Sequence, residues 1–507
     1  MVTQIIGTST PEQTHFSPKR TSLAFRLGPI QRKDLSVQVL ARTEAVSYLA
    51  QNYKVSRKFL YQQAAKASDA LDEAFIPSAD EDEVLFYLPV TKNWIRQFVL
   101  ALILICHSSF RGVIEILQDL FDYHNLSLGT IHNIVSQPVQ KAQQINNAQD
   151  LCGISVGILD EIFQVSQPVL VGMDAKSTYC YLLAAEDQRD ETTWGVHLLE
   201  LAQKGLHPDY TIADAGRGLR AGHTTAWHDV PCHGDVFHAE RDLAKLAYFL
   251  ENRAAGCSTM LQKLQRKMQR AKNKGKGQSV SKKLVQARKA QAEAADLAKD
   301  IRILADWMNN DILSAAGPDL RTRQQLYDFV VEQLRIRESI CPHRISPVRG
   351  MLENHRDNLL AFVDVLDERL ADIATRFKVP LFLVQAICQL QSLDKNLPAY
   401  WQRQAQLRKK LPDRFNRLEM AVCEVLSETP RASSMVENLN SRLRNYFFLR
   451  RHIGNDYLHL LRFFLNHRRF QRSDQPERIG KSPAELLNGQ AHPHWLELLG
   501  FQRFQQN

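Results

Sequence analysis

Asp160, Asp214 and Glu437 are the side chains of this 507-residue chain whose types and settings best suit chemistry. Asp160 closes the apolar run from Ile154 to Leu159. Asp214 closes the run from Tyr210 to Ala213 and precedes Ala215, Gly216, Arg217 and Gly218. Glu437 lies in the stretch from Ser433 to Arg444, which reads as a helix. Two strand-end aspartates and a later helical glutamate supply only oxygen ligands, the kind that Mg²⁺ and Mn²⁺ take. A pair of such ions could activate a water or a 3′-hydroxyl against a DNA phosphate.

Each acid also has an ordinary explanation. Asp214 before two nearby glycines fits an Asx turn. The spacing of Ser434 and Glu437 fits a capping box, in which the glutamate would bond the Ser434 amide. Against that, Val436, Leu439, Leu443 and Phe447 make an apolar stripe, and Glu437, Asn440, Ser441 and Arg444 make the polar stripe beside it. Glu437 then sits at the margin of whatever the helix packs on. Glu161 neighbours Asp160 but points to the opposite face of a strand, and Asp174 closes an antiparallel strand and falls at the far end of the sheet. Cys232, His233, Asp235 and His238 could be read as a zinc site, but four ligands in seven residues leave little chain to wrap a tetrahedron.

The elements that must position these acids begin near Gly153. Strands are expected over 154–163, 168–173 and 179–185, then a helix over 191–204, then strands ending at Ala213 and near Cys232. This β-β-β-α-β-β order suits a ribonuclease-H-like layer, in which the first and fourth strands are parallel neighbours. Asp160 and Asp214 would then face each other. At about 4 Å their repulsion is about 4 kcal/mol for an effective dielectric of 20, so the pair needs cations or a proton. The fold class expected is an α/β ribonuclease-H-like catalytic core with a large all-α insertion and N-terminal helix-turn-helix DNA-binding units.

Residues 1–36 read as a flexible arm. Within 37–95, Val46, Leu49 and Ala50 share a short helix face, Val55 and Ser56 read as turn and N-cap, and Phe59 and Leu60 begin a second helix. This is helix-turn-helix spacing, with Arg57, Lys58, Gln62 and Gln63 free for phosphates or base edges. A second unit is expected over 96–150. It has a helix from Phe110 to Phe121 and another capped by Ser127, which carries Thr130 and His132, followed by a polar connection from Gln140 to Asp150. Residues 151–240 would hold the first part of the core and 241–430 a helical insertion. Between Lys263 and Lys289 that insertion has eleven lysines or arginines and no acid, broken by a glycine-bearing turn at 274–279. Ala290, Ala294, Leu297, Ile301 and Leu304 form a coiled-coil stripe. Residues 431–472 carry the third acid with Arg442, Arg444, Arg450 and Arg451, which could hold phosphates. A tail follows over 473–507, with a helix start at Ser482.

The ordered set of Leu159 to Phe163, Pro168 to Asp174, Trp194, Ile212 to Leu219, Asp235 to His238 and Ser433 to Asn440 resembles DDE transposases with a large helical insertion before the last acid. These include Mutator-like and hAT-like enzymes and related bacterial insertion-sequence enzymes. The resemblance covers about residues 150–470. It implies that Asp160, Asp214 and Glu437 bind two Mg²⁺ or Mn²⁺ ions, and that Asp235 and His238 support the site. It implies a DNA transposase that binds double-stranded element ends and target DNA, acting as a homodimer or larger on paired ends.

Composition agrees with a polyanionic partner: the formal net charge is +9. A hydrophobic content of 44% is ample for folded cores. Eight scattered cysteines without a CxxC pair point to a reducing compartment. With a polar N-terminus and no apolar run long enough to span a bilayer, the expected location is the cytoplasm and nucleoid of a prokaryote or the nucleus of a eukaryote. Two other readings stay open: a transposase-derived DNA-binding regulator that no longer cuts, and a ribonuclease-H-like nuclease.

Overall fold

The computed structural model describes residues 27–75, 86–273, 278–431, 434–450 and 454–504. The chain divides into two compact units that meet at Leu88 and Pro89. The first holds α1 (Pro29–Leu40), α2 (Val46–Asn52) and α3 (Arg57–Phe75). Its core is Leu35 and Val39 from α1, Leu49 from α2, and Leu60 and Ala64 from α3. The helix-turn-helix spacing holds: the Phe59 amide donates to Ser56 Oγ at 3.1 Å and caps α3. The flexible-arm expectation fails for residues 29–36. Leu35 and Ser36 of α1 are buried, and Pro29 starts the helix where its missing N–H costs nothing.

The second unit opens with α4 (Lys92–Leu104), α5 (Phe110–Phe121), α6 (Leu128–Ser136) and α7 (Val139–Ala148). Ile95, Val99 and Leu100 are buried in this unit's core, so the boundary expected after residue 95 falls earlier. Ser127 caps α6 as expected, accepting from the Thr130 amide at 3.1 Å. The connection expected from Gln140 to Asp150 is mostly the helix α7, because Val139, Ala142 and Asn146 share one buried face. The pair α5–α6 is no free-standing module: Val113, Leu117, Ile131, Ile134 and Val135 join the same core as the strands.

A single sheet follows: β1 (Val156–Gln164), β2 (Gln167–Asp174), β3 (Cys180–Ala185), α8 (Glu191–Gln203), β4 (Tyr210–Ala213), α9 (Arg217–Ala226) and β5 (Cys232–Gly234). Strand order is β3-β2-β1-β4-β5. β1 pairs antiparallel with β2 and parallel with β4, so the expected neighbours meet, and Leu159 lies opposite Ala213. α9 packs closely on α8 because Gly218 and Gly222 face it. A Cβ on Gly222 would come within 2.6 Å of Trp194 Cβ.

The rest is helical. α10 (Val236–Lys272) and α11 (Gln278–Trp307) form a long hairpin, and residues 308–312 continue as a π-helical turn. Ala294, Leu297, Ile301 and Leu304 are buried along α11, but Ala290 is exposed and Val280 takes the buried place nearer the turn. Of the basic run, Lys274 and Lys276 lie outside the described residues. Then come α12 (Leu320–Glu338), α13 (Pro342–Asn354), α14 (Arg356–Phe377), α15 (Leu381–Leu390), α16 (Pro398–Lys410) and α17 (Phe415–Glu428), followed by α18 (Ser434–Leu449), α19 (Asn455–His467), α20 (Pro483–Asn488) and α21 (Trp495–Leu498). The expected tail is folded: Ser482 and Glu485 form a capping box, and Trp495, Leu496 and Leu499 enter the main core.

The expected fold class is corrected by these proportions. Of the described residues 67% are helix and 7% strand, with one small mixed sheet among helices, so the chain is predominantly helical and not an α/β protein built on a ribonuclease-H-like core. The short β-rich runs between residues 156 and 234 gave the α/β expectation. Segments with helical periodicity on both sides outweigh them.

Candidate active site

Asp160 is the residue after Leu159 on β1, and Asp214 the residue after Ala213 on β4. Because these two strands run parallel in register, Asp160, in the middle of β1, stands beside Asp214, which follows the last residue of β4. Asp160 is buried. Its Oδ1 accepts from the Glu161 amide at 2.8 Å and its Oδ2 from Asn440 Nδ2 at 2.7 Å. Burial raises its pKa to about 6, and the nearby Asp214 charge pushes the same way, against the Glu161 amide, His238 and Asn440. Asp214 Oδ1 accepts from the Gly216 amide at 2.8 Å, the Asx turn its glycines suggested. The Arg220 guanidinium gathers the carbonyls of Ala213, Asp214, Cys232 and His233, tying the ends of β4 and β5 together.

Asp235 caps α10 by accepting from the Phe237 amide at 2.9 Å, and its other oxygen bonds His238 Nδ1. Burial opposes the charged imidazole, but the Asp235 bond and charge outweigh it and hold the His238 pKa above its usual value. His238 Nε2 stands 4.0 Å from Glu437 Oε1. Glu437 sits in the first turn of α18 and pairs with Arg241 at 3.1 Å and Arg444 at 3.5 Å. The side chain of Ser434, the capping alternative, lies outside the described residues.

One helical turn separates Glu437 from Asn440, so α18 brings its acid to the strand that carries Asp160. Residues far apart in the chain thus gather around Asp160 and Asp214. They do not close into a cage: among the described residues no group of three His, Cys, Asp or Glu side chains is placed to hold a metal ion. Two polar atoms here are buried without a hydrogen-bond partner, Asn440 Oδ1 and Arg241 Nε. A cavity of about 190 Å³ opens beside Asp214, Asp235 and His238, with Arg220 and His355 also on its wall.

The rejected alternatives are accounted for. Glu161 points away and accepts from Trp194 Nε1 at 2.9 Å and Arg189 at 2.7 Å. Asp174, opposite Gly157 near the start of β1, bonds Ser177. His233 stacks on Tyr210 with ring centroids 4.3 Å apart and does not join His238 in a zinc set.

The expected DNA contacts divide. Arg57, Lys58 and Gln62 are exposed on α3, with Gln63 half-buried. Thr130 is engaged with Ser127, Oγ to Oγ at 3.0 Å, so its hydroxyl serves the cap of α6, while His132 is exposed. Arg444 belongs to the acid site through Glu437. Arg450 does not. It is wedged between Phe110 and Tyr457, 5.2 and 4.3 Å from their ring centroids, and its terminal nitrogens are buried. Arg442 faces away from the acids, into a groove with Met173 and Cys180. Arg451 lies outside the described residues.

Sequence reasoning missed Asn440, Arg220, Arg241 and His355 as members of this region. Asn440 and Arg220 had a signal: each shares a motif with an acid, three residues after Glu437 and six after Asp214. Arg241, one turn after His238, had a weaker one. His355 had none, since it arrives from the junction of α13 and α14.

Among the described residues no helix is long and apolar enough to cross a membrane. No protein-family model matches the chain, and no curated protein is found to be similar to it.

Proposed function

We propose that the chain is a DNA transposase, with Asp160, Asp214 and Glu437 as the acids of a metal-dependent strand-cutting and strand-joining site. The observation that carries this reading is the Asn440–Asp160 hydrogen bond, which docks the helix of the third acid onto the strand of the first, 280 residues away. The donor set fits a divalent cation that prefers oxygen. Two carboxylates emerge together from neighbouring strands, one of them reluctant to ionise unaided, and the unpartnered Asn440 Oδ1 is a further oxygen beside them. Mg²⁺ or Mn²⁺ held there by Asp160, Asp214 and Glu437 would lower the pKa of the attacking oxygen and neutralise the leaving one.

The chain's own groups have separable tasks. Asn440 fixes the Asp160 carboxylate through one oxygen. Arg220 fixes the strand end from which Asp214 projects. Asp235 orients His238, whose Nε2 faces Glu437. Arg241 and Arg444 balance Glu437 and lie where a phosphate would bring negative charge. On α3 of the first unit, Arg57, Lys58 and Gln62 present an exposed, basic, hydrogen-bonding face to duplex DNA. Work on paired element ends would need a dimer or larger assembly.

The test is cleavage and strand transfer on linear duplex DNA carrying the sequences that flank the reading frame, with Mg²⁺ or Mn²⁺ against a chelator. The reading expects cation-dependent nicks at defined ends, absent from Asp160→Asn and Asp214→Asn. One observation favours a DNA-binding regulator instead: Glu437 already has two guanidinium partners. Specific binding without cleavage under either cation would establish that second reading.

A further inference from the structure

The arginines around α18 fall into two kinds. Arg241, Arg444, Arg431 and Arg469 each face a glutamate. Arg442, Arg472 and Arg478 face none, although all three line one groove of about 650 Å³. Arg478 donates to the Lys176 carbonyl at 2.8 Å and to the Met435 sulfur, with the charges of Glu477 and Asp174 nearby. Among the described residues Arg442 is half-buried with no hydrogen-bond or ion-pair partner, and Asp474, the acid on the groove wall, does not reach it. A recessed guanidinium without a paired carboxylate costs stability, and the half-buried Arg442 and Arg478 with the exposed Arg472 on one concave wall make a site for anions.

The groove's place on α18 says which anion. Advancing 100° per residue, Glu437 and Arg442 lie about 140° apart around the helix. The arc between them carries Ser441 and Asn438, both exposed and polar. A polar path thus leads across the outer face of α18 from the acid site to the unpaired arginines.

We propose that this groove seats the phosphodiester backbone of a DNA strand whose continuation lies against the acids, an inference that rests on the function proposed above. A helix with side chains is about 10 Å wide, and each strand of a duplex places a phosphate every ~3.4 Å of helix axis. The groove therefore holds phosphates within a few nucleotides of the one at the acids. The apolar side chains of Met173, Met435 and Leu439, which also line the groove, suit sugar or base edges without reading sequence.

The experiment measures binding of fluorescent single-stranded and duplex oligonucleotides to the full chain in chelator, so that no cutting is needed. Arg442→Gln and Arg472→Gln should each lower the slope of log affinity against log salt by about one. Arg472 is exposed, so its substitution removes charge with little change in packing, and Arg442→Lys should retain the slope. Neutralising single phosphates as methylphosphonates should weaken wild-type binding at one or two positions and leave Arg442→Gln indifferent there. Unchanged slopes in both glutamine variants would overturn the inference even if the chain cuts DNA. Intact slope effects in a chain that never cuts would uphold the groove and remove the transposase reading. Displacement of the oligonucleotide by a free mononucleotide, dependent on Arg442, would overturn the strand assignment in favour of a small-ligand site.

Discussion

Two buried carboxylates of the second unit are driven in opposite directions, and the difference separates a site from a scaffold. Asp160 is pushed up to about 6, with Asn440 Nδ2 and one backbone amide as its hydrogen-bond donors and another aspartate nearby. Glu485 is also buried, which by itself would raise it. Yet Arg469 and the amides of His492 and Ser482 hold it down to about 2. Burial is common to both; the supply of donors is not. Where the fold provides donors in surplus, the charge serves structure. Where it leaves the charge short, a cation or a proton has to complete it.

The largest effect that could break this comparison is in catalysis. Asp160→Asn and Asp214→Asn keep shape and remove charge, and each should lower cation-dependent cleavage by roughly a thousandfold or more, given that a metal supplies several kcal/mol to a phosphoryl-transfer transition state. Asp160→Asn should also leave the melting temperature equal or higher, because it removes a buried charge whose desolvation the fold offsets only in part. A fall in stability with that variant would mean that the pair is structural after all.

Arg323 sharpens the contrast from the cationic side. It is wholly buried, yet its guanidinium donates to the carbonyls of Pro318, Ile312, Ser314 and Ala315 and lies over the Phe362 ring. Burial lowers its pKa to about 10 without removing its charge at neutral pH. Arg323→Met takes the donor from four carbonyls, the Ile312 one buried and the others partly so, and should cost about 3–5 kcal/mol, the scale for breaking a buried charged network. The measurement is denaturant unfolding. DNA binding per folded molecule should stay unchanged, since the partners of Arg323 include none of the three acids.

These cases also show what a linear reading can reach. Asp160 and Asp214 were legible because each follows an apolar run, a local property, although only Asp214 stands at a strand end; β1 continues past Asp160 to Gln164. The caps Ser56, Ser127 and Ser482 were legible for the same reason. Arg323 was not: an arginine within a helical stretch reads as surface, and its carbonyl partners come from the irregular turn before it. Asn440 was visible as part of a polar stripe, but its partner lies 280 residues away. Helices α1 and α7 were missed where weakly periodic, polar sequence is held helical by buried positions such as Leu35 and Ala142. The pair α5–α6 shows the reverse failure. Its caps and spacing match a DNA-binding module, but its apolar faces are consumed by the main core, whereas α2–α3 keeps Arg57, Lys58 and Gln62 outward on a core of its own.

The smallest expected effect concerns Glu485 and follows from the sign of its shift. Its folded pKa of about 2 lies below the ordinary 4.5. The folded state therefore binds fewer protons than the unfolded one between those values. The stability from this group is fully present above pH ~4.5 and is lost as pH falls towards ~2. Glu485→Gln should remove about 2–3 kcal/mol at neutral pH, since the charged hydrogen bonds from Arg469 and the two amides become neutral ones. Part of the acid-side slope of stability against pH should vanish with it, measurable by unfolding at a series of pH values between 2 and 5. Cleavage measured under the same neutral conditions should be unaffected, because Glu485 anchors α20 through Ser482 and Arg469 and touches none of the three acids. If Glu485→Gln instead lowered cleavage without lowering stability, donor-rich burial would no longer mark a structural charge, and the distinction drawn between Glu485 and Asp160 would fail.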